Sequence, residues 1–199
     1  MSVLSRLRSK ITGNPQKPAG NAPVWDTKGP VSFRDYTTVE GRIDAILDEC
    51  RRQGLVMLAQ EAYVLATAEH ETNGTFLPVE EGYYLKNPKA FQRKLRYFPY
   101  YGRGLVQLTW KFNYERYARL LGIDLVGQPE LALRPEVSTF ILVHGCLNGV
   151  FTGKAVPDYI NTRKIDFVGA RRVINGSDRA RHIAGLADRW FRKLKSEAS

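Results

Sequence analysis

The sequence predicts a mainly α fold with a small β element, on three observations. Apolar residues recur at helical spacing through most of the chain beyond residue 40. Capping residues, prolines and glycines stand at the ends of several of these runs. The strand signal is thin, and its best short candidate is Leu105–Thr109. With 199 residues, 43% hydrophobic and 25% charged, the chain can bury a sizeable core in one domain.

Composition divides the chain into an arm and a domain. Residues 1–34 carry six Lys/Arg against one acid and are rich in proline and glycine, which predicts a basic N-terminal arm. The remainder, 35–199, shows no internal repeat and no low-complexity run. We therefore expect a single domain over 35–199.

Caps and glycines set the bounds of the predicted helices. Thr37-x-x-Glu40 resembles a capping box before the first helix, which Gly54 ends. Asn87-Pro88 is a cap and first-turn pair, and Asp166 is a cap for a short helix. The predicted helices, in chain order, are 37–54, Met57–Glu71, 88–95, Lys111–Leu121 ended by Gly122, one starting at Pro135, 166–174, and Asp178–Leu194.

The net charge of +10 is concentrated at the two ends. Residues 160–199 carry ten Lys/Arg against four acids, whereas 35–159 carry fourteen against fifteen. Basic ends on a near-neutral body favour attraction to a polyanion, which is a nucleic acid, an anionic cell wall or acidic lipid headgroups. Charge alone does not choose among these partners.

The cysteines and the first residues of the chain allow predictions about cofactors and about the compartment in which the protein is made. Cys50 and Cys146 both lie in apolar helical patterns, which favours two buried free thiols. There is no CxxC motif and no His/Cys cluster, so we expect no metal and no cofactor. The first residues lack a continuous apolar region, so we expect synthesis in a host cytoplasm without a signal peptide. A substrate at the cell wall or in the periplasm would then be reached only after release.

Glu71 is the first candidate for chemistry. It ends an apolar helical run, and a carboxyl at the edge of an apolar element loses hydration, which raises its pKa. A carboxyl that stays protonated near neutral pH can act as a general acid toward a glycosidic oxygen. A solvated helix end would show the same pattern.

Glu80 and Glu81 are candidates for a second carboxylate. They follow Glu71 by nine and ten residues, after a turn containing Gly74 and Pro78, so the chain can cross a cleft between them. Inverting glycosidases place their two carboxyls roughly 6.5–9.5 Å apart to leave room for a water. The residues themselves do not decide which of the two glutamates is the base.

Polar and aromatic residues after the Gly102–Gly104 turn suit a sugar-binding groove. In a strand, Gln107 and Thr109 would share one face and point into the same groove. Asn113 and neighbouring rings add groups that suit sugar hydroxyls and pyranose faces. Asn175-Gly176 predicts a turn whose amide could bind sugar or simply stop a helix.

These motifs resemble the family 19 glycoside hydrolases, which are the chitinases and related phage or bacterial peptidoglycan-cleaving lysozymes. The resemblance covers roughly residues 40–195, with the motifs in the same order. The matching segments are HETNG at 70–74, YYGRGLVQLTWKFNY at 100–114, LLGIDLVGQPELAL at 120–133 and VINGS at 173–177. The resemblance implies a mainly α, lysozyme-like, two-lobed catalytic domain over 35–199, with a central cleft.

The resemblance also implies roles for individual residues. Glu71 matches the general acid of an inverting mechanism, and Glu80 or Glu81 stands where the general base is expected. Thr109 matches the hydroxyl residue that helps to hold the attacking water. The implied substrate-binding residues are His70, Tyr101, Arg103, Gln107, Asn113 and Asn175. The segment between Glu71 and the GRG turn is shorter than in plant chitinases, Thr109 replaces the commoner serine, and Ser177 stands where a second glycine is usual.

The short loops, the free cysteines and the basic ends resemble phage endolysins more than secreted chitinases. The expected partner is therefore the glycan strand of bacterial peptidoglycan, with basic ends drawn to an anionic wall or outer-membrane surface, and the expected state is a monomer. The alternatives are a chitinase on N-acetylglucosamine oligomers, a lytic transglycosylase using Glu71 alone, and a non-catalytic wall-binding protein. A nucleic-acid-binding protein is disfavoured, because no nucleic-acid-binding motif is present.

Overall fold

The computed structural model describes residues 35–199, so the predicted arm over 1–34 lies outside the described residues. The helices are α1 (Val39–Gln53), α2 (Leu58–Glu71), α3 (Pro88–Gln92), α4 (Lys111–Leu121), α5 (Pro135–Asn148), α6 (Phe167–Ala170) and α7 (Ala180–Glu197). Short 3₁₀ helices cover Pro129–Leu133, Val156–Asp158 and Arg171–Val173. The strands are β1 (Val79–Glu80), β2 (Arg103–Gly104), β3 (Ile160–Asn161) and β4 (Lys164–Ile165). The predicted mainly α fold with a small β element is confirmed.

Helix α2 is the centre of the core. It packs against α7 and also contacts α1 and α5, while α1 packs against α5. Nearly all of its residues are buried, because its small side chains let the neighbouring helices approach on every side. This packing carries Glu71, the last residue of α2, into the interior.

Most helix ends fall within two residues of the predicted positions, but α3 and α6 end earlier than predicted and α7 ends later. Thr38, one residue beyond the predicted start, caps α1 by accepting a hydrogen bond from the Gly41 N–H at 3.0 Å. Gly54 and Gly122 end α1 and α4 in the left-handed conformation. Cys50 and Cys146 are free and buried, as predicted.

The strand prediction for Leu105–Thr109 is wrong. Residues 105–107 form a turn, in which Gln107 has a φ of +55°, and Leu108 returns to bridge Arg103. The true strand, β2, lies just before this turn and pairs antiparallel with β1, with Val79 opposite Gly104 and Glu80 opposite Arg103. The shared strand face proposed for Gln107 and Thr109 therefore does not exist.

The turn between α2 and β1 is fixed to the helical core. The Thr72 hydroxyl donates to the Ala68 carbonyl at 2.7 Å and accepts from the Phe76 N–H at 2.9 Å. Phe76 is buried and meets Trp190 of α7 edge to face, with ring centroids 6.0 Å apart. The path of the chain from Glu71 toward Glu80 is therefore anchored where it leaves α2.

Residues 35–199 contain neither a helix suited to span a membrane nor a cluster of metal-binding side chains. No described helix has the length and apolar character needed to cross a lipid bilayer. No group of three or more His, Cys, Asp or Glu side chains lies close enough together to hold a metal ion in this part of the chain.

Candidate active site

Glu71 lies against Arg171 in the interior of the protein. The Arg171 Nη1 donates to the Glu71 Oε1 at 3.2 Å, and the two side chains are 0% and 1% exposed. The Arg171 Nε also donates to the Asp178 carbonyl at 3.0 Å, which fixes the guanidinium. Glu71 Oε2 is buried and has no hydrogen-bond partner among the described residues. One carboxyl oxygen is thus held by the protein and the other is left for a proton.

The surroundings of Glu71 favour its protonated form. Burial raises the pKa of this carboxyl, and the charge and hydrogen bond of Arg171 only partly oppose that effect. His70 lies beside it, edge to face with His182, at a centroid separation of 5.4 Å. Burial, aided by the charge of Arg171, lowers the pKa of His70 to about 4. His70 is therefore neutral near pH 7.

Arg171 also joins Asn175 to this cluster. The Asn175 N–H donates to the Arg171 carbonyl at 2.9 Å, which closes the turn that follows the 3₁₀ helix. The Asn175 side chain is buried, and its Nδ2 has no hydrogen-bond partner within residues 35–199. Glu71, His70 and Asn175 are therefore brought together around one arginine.

Glu80 forms the centre of a second cluster, in which cations surround a carboxylate. Its Oε2 accepts from the Lys89 Nζ at 2.8 Å, and its Oε1 accepts from the Tyr101 hydroxyl at 2.9 Å. The Arg103 Nε lies 3.6 Å from Oε1. Partial burial acts to raise the pKa of Glu80, but the bonds from Lys89 and Tyr101 outweigh it and the pKa is lowered. Glu80 is therefore ionised near neutral pH.

Glu81 has a different environment from Glu80. It is buried, and it accepts hydrogen bonds from the Tyr97 hydroxyl at 3.0 Å and from the Gly102 N–H at 3.1 Å. Its own N–H donates to the Gly102 carbonyl at 2.7 Å. Glu81 therefore ties the β1 end to the segment before β2.

The GRG turn needs both glycines because side chains approach its backbone closely. A Cβ at Gly102 would lie 2.7 Å from the Gln107 Oε1. A Cβ at Gly104, where φ is +87°, would lie 2.7 Å from the Ser138 Oγ. Between them, the Arg103 guanidinium lies 3.7 Å from the Tyr101 ring centroid and donates to the Tyr114 hydroxyl at 3.1 Å. Tyr101 and Arg103 thus orient the groups around Glu80.

The remaining predicted residues form a chain of hydrogen bonds beside this hairpin. The Gln107 Nε2 donates to the Val79 carbonyl at 2.9 Å and the Gly104 carbonyl at 3.2 Å. The Thr109 hydroxyl donates to the Gln107 carbonyl at 2.7 Å, and the Asn113 Nδ2 donates to the Thr109 carbonyl at 2.9 Å. Thr109 is half-buried, whereas Gln107 and Asn113 are buried. Their predicted roles toward water and substrate stay predictions.

Sequence reasoning missed three residues of these clusters: Arg171, Lys89 and Tyr97. Arg171 and Arg172 interrupt the otherwise apolar run FVGARRVI, and this interruption was the one available signal, although it does not single out Arg171. Lys89 and Tyr97 contact the two glutamates only because α3 and the segment behind it fold back onto β1. Nothing in the sequence distinguishes these two residues from neighbouring surface residues.

The family model and the similar proteins found by comparison all point to chitinases. Residues 59–143 match the family model for class I chitinases, glycoside hydrolase family 19. This match includes Glu71, Glu80, Glu81 and the GRG turn, but neither Arg171 nor Asn175.

Several chitinases and one chitinase-like protein of plants are similar to this chain. Endochitinase CH5B of Phaseolus vulgaris is 32% identical over 93 residues, covering 40% of this chain and 28% of the relative. Chitinase 8 of Oryza sativa subsp. japonica is 50% identical over 42 residues, covering 21% of this chain and 16% of that protein. Inactive chitinase-like protein 1 of Hevea brasiliensis is 44% identical over 41 residues, covering 21% of this chain and 13% of that protein. The chain thus spans less than a third of the length of these relatives.

Among solved structures, chitinase C of Streptomyces griseus HUT6037 is similar at 22% identity, with a TM-score of 0.49. The similarity covers 83% of this chain and 70% of that chain. The likeness to the family 19 glycoside hydrolases therefore depends on the sequence match alone, which covers residues 59–143.

Proposed function

We propose that this protein is a peptidoglycan hydrolase that cleaves β-1,4 bonds beside N-acetylated sugars, with Glu71 as general acid and Glu80 as general base. One observation carries the proposal: the two carboxyls have pKa values displaced in opposite directions, upward at Glu71 and downward at Glu80. Two carboxyls in such contrasting settings are suited to the two proton-transfer roles of a glycosidase.

Glu71 supplies the proton. Its Oε1 accepts from Arg171, so the transferable proton is carried on Oε2. Transfer of that proton to the glycosidic oxygen lets the bond between this oxygen and the anomeric carbon break, and the leaving sugar departs as an alcohol. Glu71 becomes a carboxylate at this moment, and the adjacent guanidinium stabilises the new charge.

Glu80 takes up the balancing proton. As an ionised carboxylate it removes a proton from a water, whose oxygen bonds to the anomeric carbon from the face opposite the leaving group. The result is a single displacement with inversion. Glu81 is less suited to this step, because the Tyr97 hydroxyl and the Gly102 N–H already occupy its carboxylate.

Two features favour peptidoglycan over chitin as the polymer. The net charge of +10 suits an anionic wall, whereas chitin is uncharged. Only eight residues separate Glu71 from Glu80, and short loops resemble phage endolysins more than secreted chitinases. Chitin is the second candidate, because the plant relatives are named as chitinases.

Parallel digestion of purified peptidoglycan and chitin tests the proposal. We expect hydrated muropeptides from peptidoglycan, with the α-anomer formed first, by mass spectrometry and NMR. Anhydro-sugar ends would instead show a lytic transglycosylase. Release from chitin alone would show a chitinase, and tight binding without any product would show a non-catalytic wall-binding protein.

The pH dependence of kcat/KM gives a second test. Glu80 must be ionised and its pKa is lowered, so activity should persist to pH values below the ordinary glutamate range. Glu71 must be protonated and its pKa is raised, so activity should fall only as the pH rises through that higher value. Replacing Lys89 by Met removes a hydrogen bond that lowers the pKa of Glu80. The acid limb of the profile, where kcat/KM falls as the pH is lowered, should therefore move to higher pH.

The control for this shift is Lys195→Met, which removes an exposed lysine on α7. It should leave both limbs in place on a soluble, uncharged oligosaccharide. An acid limb that does not respond to Lys89→Met would show that Glu80 is not the group titrating there.

A further inference from the structure

A long acid-free segment surrounds the second cluster. From Gly82 to Tyr114 the chain has no Asp or Glu and has seven Lys/Arg, although residues 35–159 as a whole are near neutral. Five of the seven lie between residues 82 and 99, and all five are exposed. The positive charge of the chain is therefore not confined to its ends.

Three of these five cations have no counter-ion within the described part of the chain. Lys89 is paired with Glu80, and Arg96 lies over the Trp110 ring at 4.8 Å. Lys86, Arg93 and Lys94 make no ion pair with any residue of 35–199. Their charges are available to an external anion.

The same segment exposes apolar and aromatic side chains. Of the eight large hydrophobic residues exposed in the described structure, four are Tyr83, Tyr84, Leu85 and Phe98. The Tyr83 and Tyr84 rings meet edge to face with centroids 5.6 Å apart, and Phe98 stacks on Tyr101. Half of the exposed large hydrophobic residues of the described structure therefore lie in this one segment, and such exposure is common at interaction surfaces.

This surface adjoins Glu80. The Tyr83 N–H donates to the Glu80 carbonyl at 3.1 Å, so the exposed tyrosines follow directly from β1. Helix α3, which begins at Pro88, returns Lys89 to the Glu80 carboxylate. We name residues 83–86, 93–94 and 98 the cationic border of the site.

We propose that the cationic border binds a carboxylate-bearing glycan, and so makes the site prefer peptidoglycan with its acidic peptide stems to neutral chitin. This inference rests on the proposed function for the identity of the site. Aromatic faces suit sugar rings of either polymer, whereas unpaired cations gain only from an anionic one. The cations, and not the rings, would therefore set the preference.

The test compares two charge-matched triple variants of the full chain. The first, K86Q/R93Q/K94Q, removes the three unpaired cations of the cationic border. The control, R181Q/R192Q/K195Q, removes three exposed cations of α7 that are in no ion pair within residues 35–199. Both lose three charges and keep long polar side chains, so a difference between them reports position and not net charge.

Binding is measured by co-sedimentation with insoluble peptidoglycan and with chitin, in a Glu80→Gln background that prevents digestion. Exposed ion pairs are individually weak, so we expect the border variant to bind peptidoglycan roughly three- to thirtyfold less tightly. Its binding to chitin should be unchanged, and the control should match the parent on both polymers. The loss should shrink as salt is raised. With Glu80 restored, KM on peptidoglycan should rise while kcat on a neutral oligosaccharide stays constant.

Several results would overturn the inference. Equal losses on both polymers, an equal loss in the control, or no loss on peptidoglycan would each do so. Phosphatidylglycerol vesicles serve as a third probe in the same co-sedimentation assay, and a loss of binding confined to them would assign the surface to lipid phosphate instead. Because binding is scored without turnover, a selective loss on peptidoglycan together with no hydrolysis by the chain that keeps Glu80 would refute only the proposed function. Hydrolysis without that selective loss would refute only the inference.

Discussion

Replacing Glu71 by Gln should lower hydrolysis by about 10²–10⁴-fold, because loss of a general acid typically costs this much. An amide carries no transferable proton, but it matches the size and shape of a protonated carboxyl. The amide oxygen can still accept the bond that the Arg171 Nη1 now gives to Oε1. The Gln variant should therefore be folded and inactive, as shown by its circular dichroism and its turnover of peptidoglycan.

Glu71→Ala is the variant that separates chemistry from structure. It also removes the proton, but it leaves the buried Arg171 Nη1 without an acceptor. An unsatisfied buried donor costs roughly 1–3 kcal/mol, so Glu71→Ala should unfold at lower denaturant concentration than Glu71→Gln. A Gln variant that keeps wild-type activity would exclude Glu71 as the acid.

The stability of the wild type should also depend on pH through Glu71. Its folded-state pKa is raised, so the folded state binds the proton more tightly than the unfolded state does. The stability that this proton adds is fully present below the pKa of Glu71 in the unfolded state. It is lost as the pH rises through the pKa of Glu71 in the folded state. Glu71→Gln lacks this proton, so denaturant midpoints measured over that range should show a smaller decline. An identical decline in the variant would place the titrating group elsewhere.

Local sequence rules predicted those parts of the fold that local interactions fix. The bounds of Lys111–Leu121 were predicted to the residue, because Gly122 adopts the left-handed conformation that ends the helix. The strand prediction for Leu105–Thr109 failed because contacts from outside the segment decide its conformation. Its alternating pattern suggested a strand, but the Ser138 side chain accepts the Leu105 N–H and Gln107 takes a positive φ. These two facts depend on residues outside the segment.

The candidate site could be predicted in its residue types but not in its partners. Glu71 was recognisable from its place at the end of an apolar helix, whereas Arg171 is 100 residues away and meets it only in the folded chain. Glu80 and Glu81 could not be told apart from the sequence. Glu80 is the last residue of β1 and is only partly buried, whereas Glu81 follows the strand and is buried against Tyr97.

That difference gives the second large expected effect, at Glu80. Glu80→Gln should reduce hydrolysis by about 10²–10⁴-fold, because the variant cannot take a proton from the attacking water. Its stability should change little, since its ion pair with Lys89 joins partly exposed side chains and such pairs contribute roughly 0–1 kcal/mol.

Glu81→Gln is the matched control, one residue along the same chain. An amide there can accept from the Gly102 N–H through its oxygen and donate toward the Tyr97 hydroxyl, so most activity should remain. Glu81→Ala would leave that N–H unsatisfied and should lower the free energy of unfolding by roughly 1–3 kcal/mol. Turnover and denaturant midpoints of the three variants decide the assignment. An inactive but stable Glu81→Gln would make Glu81 the base. Full activity in both Glu80→Gln and Glu81→Gln would leave a mechanism with Glu71 as its only acid.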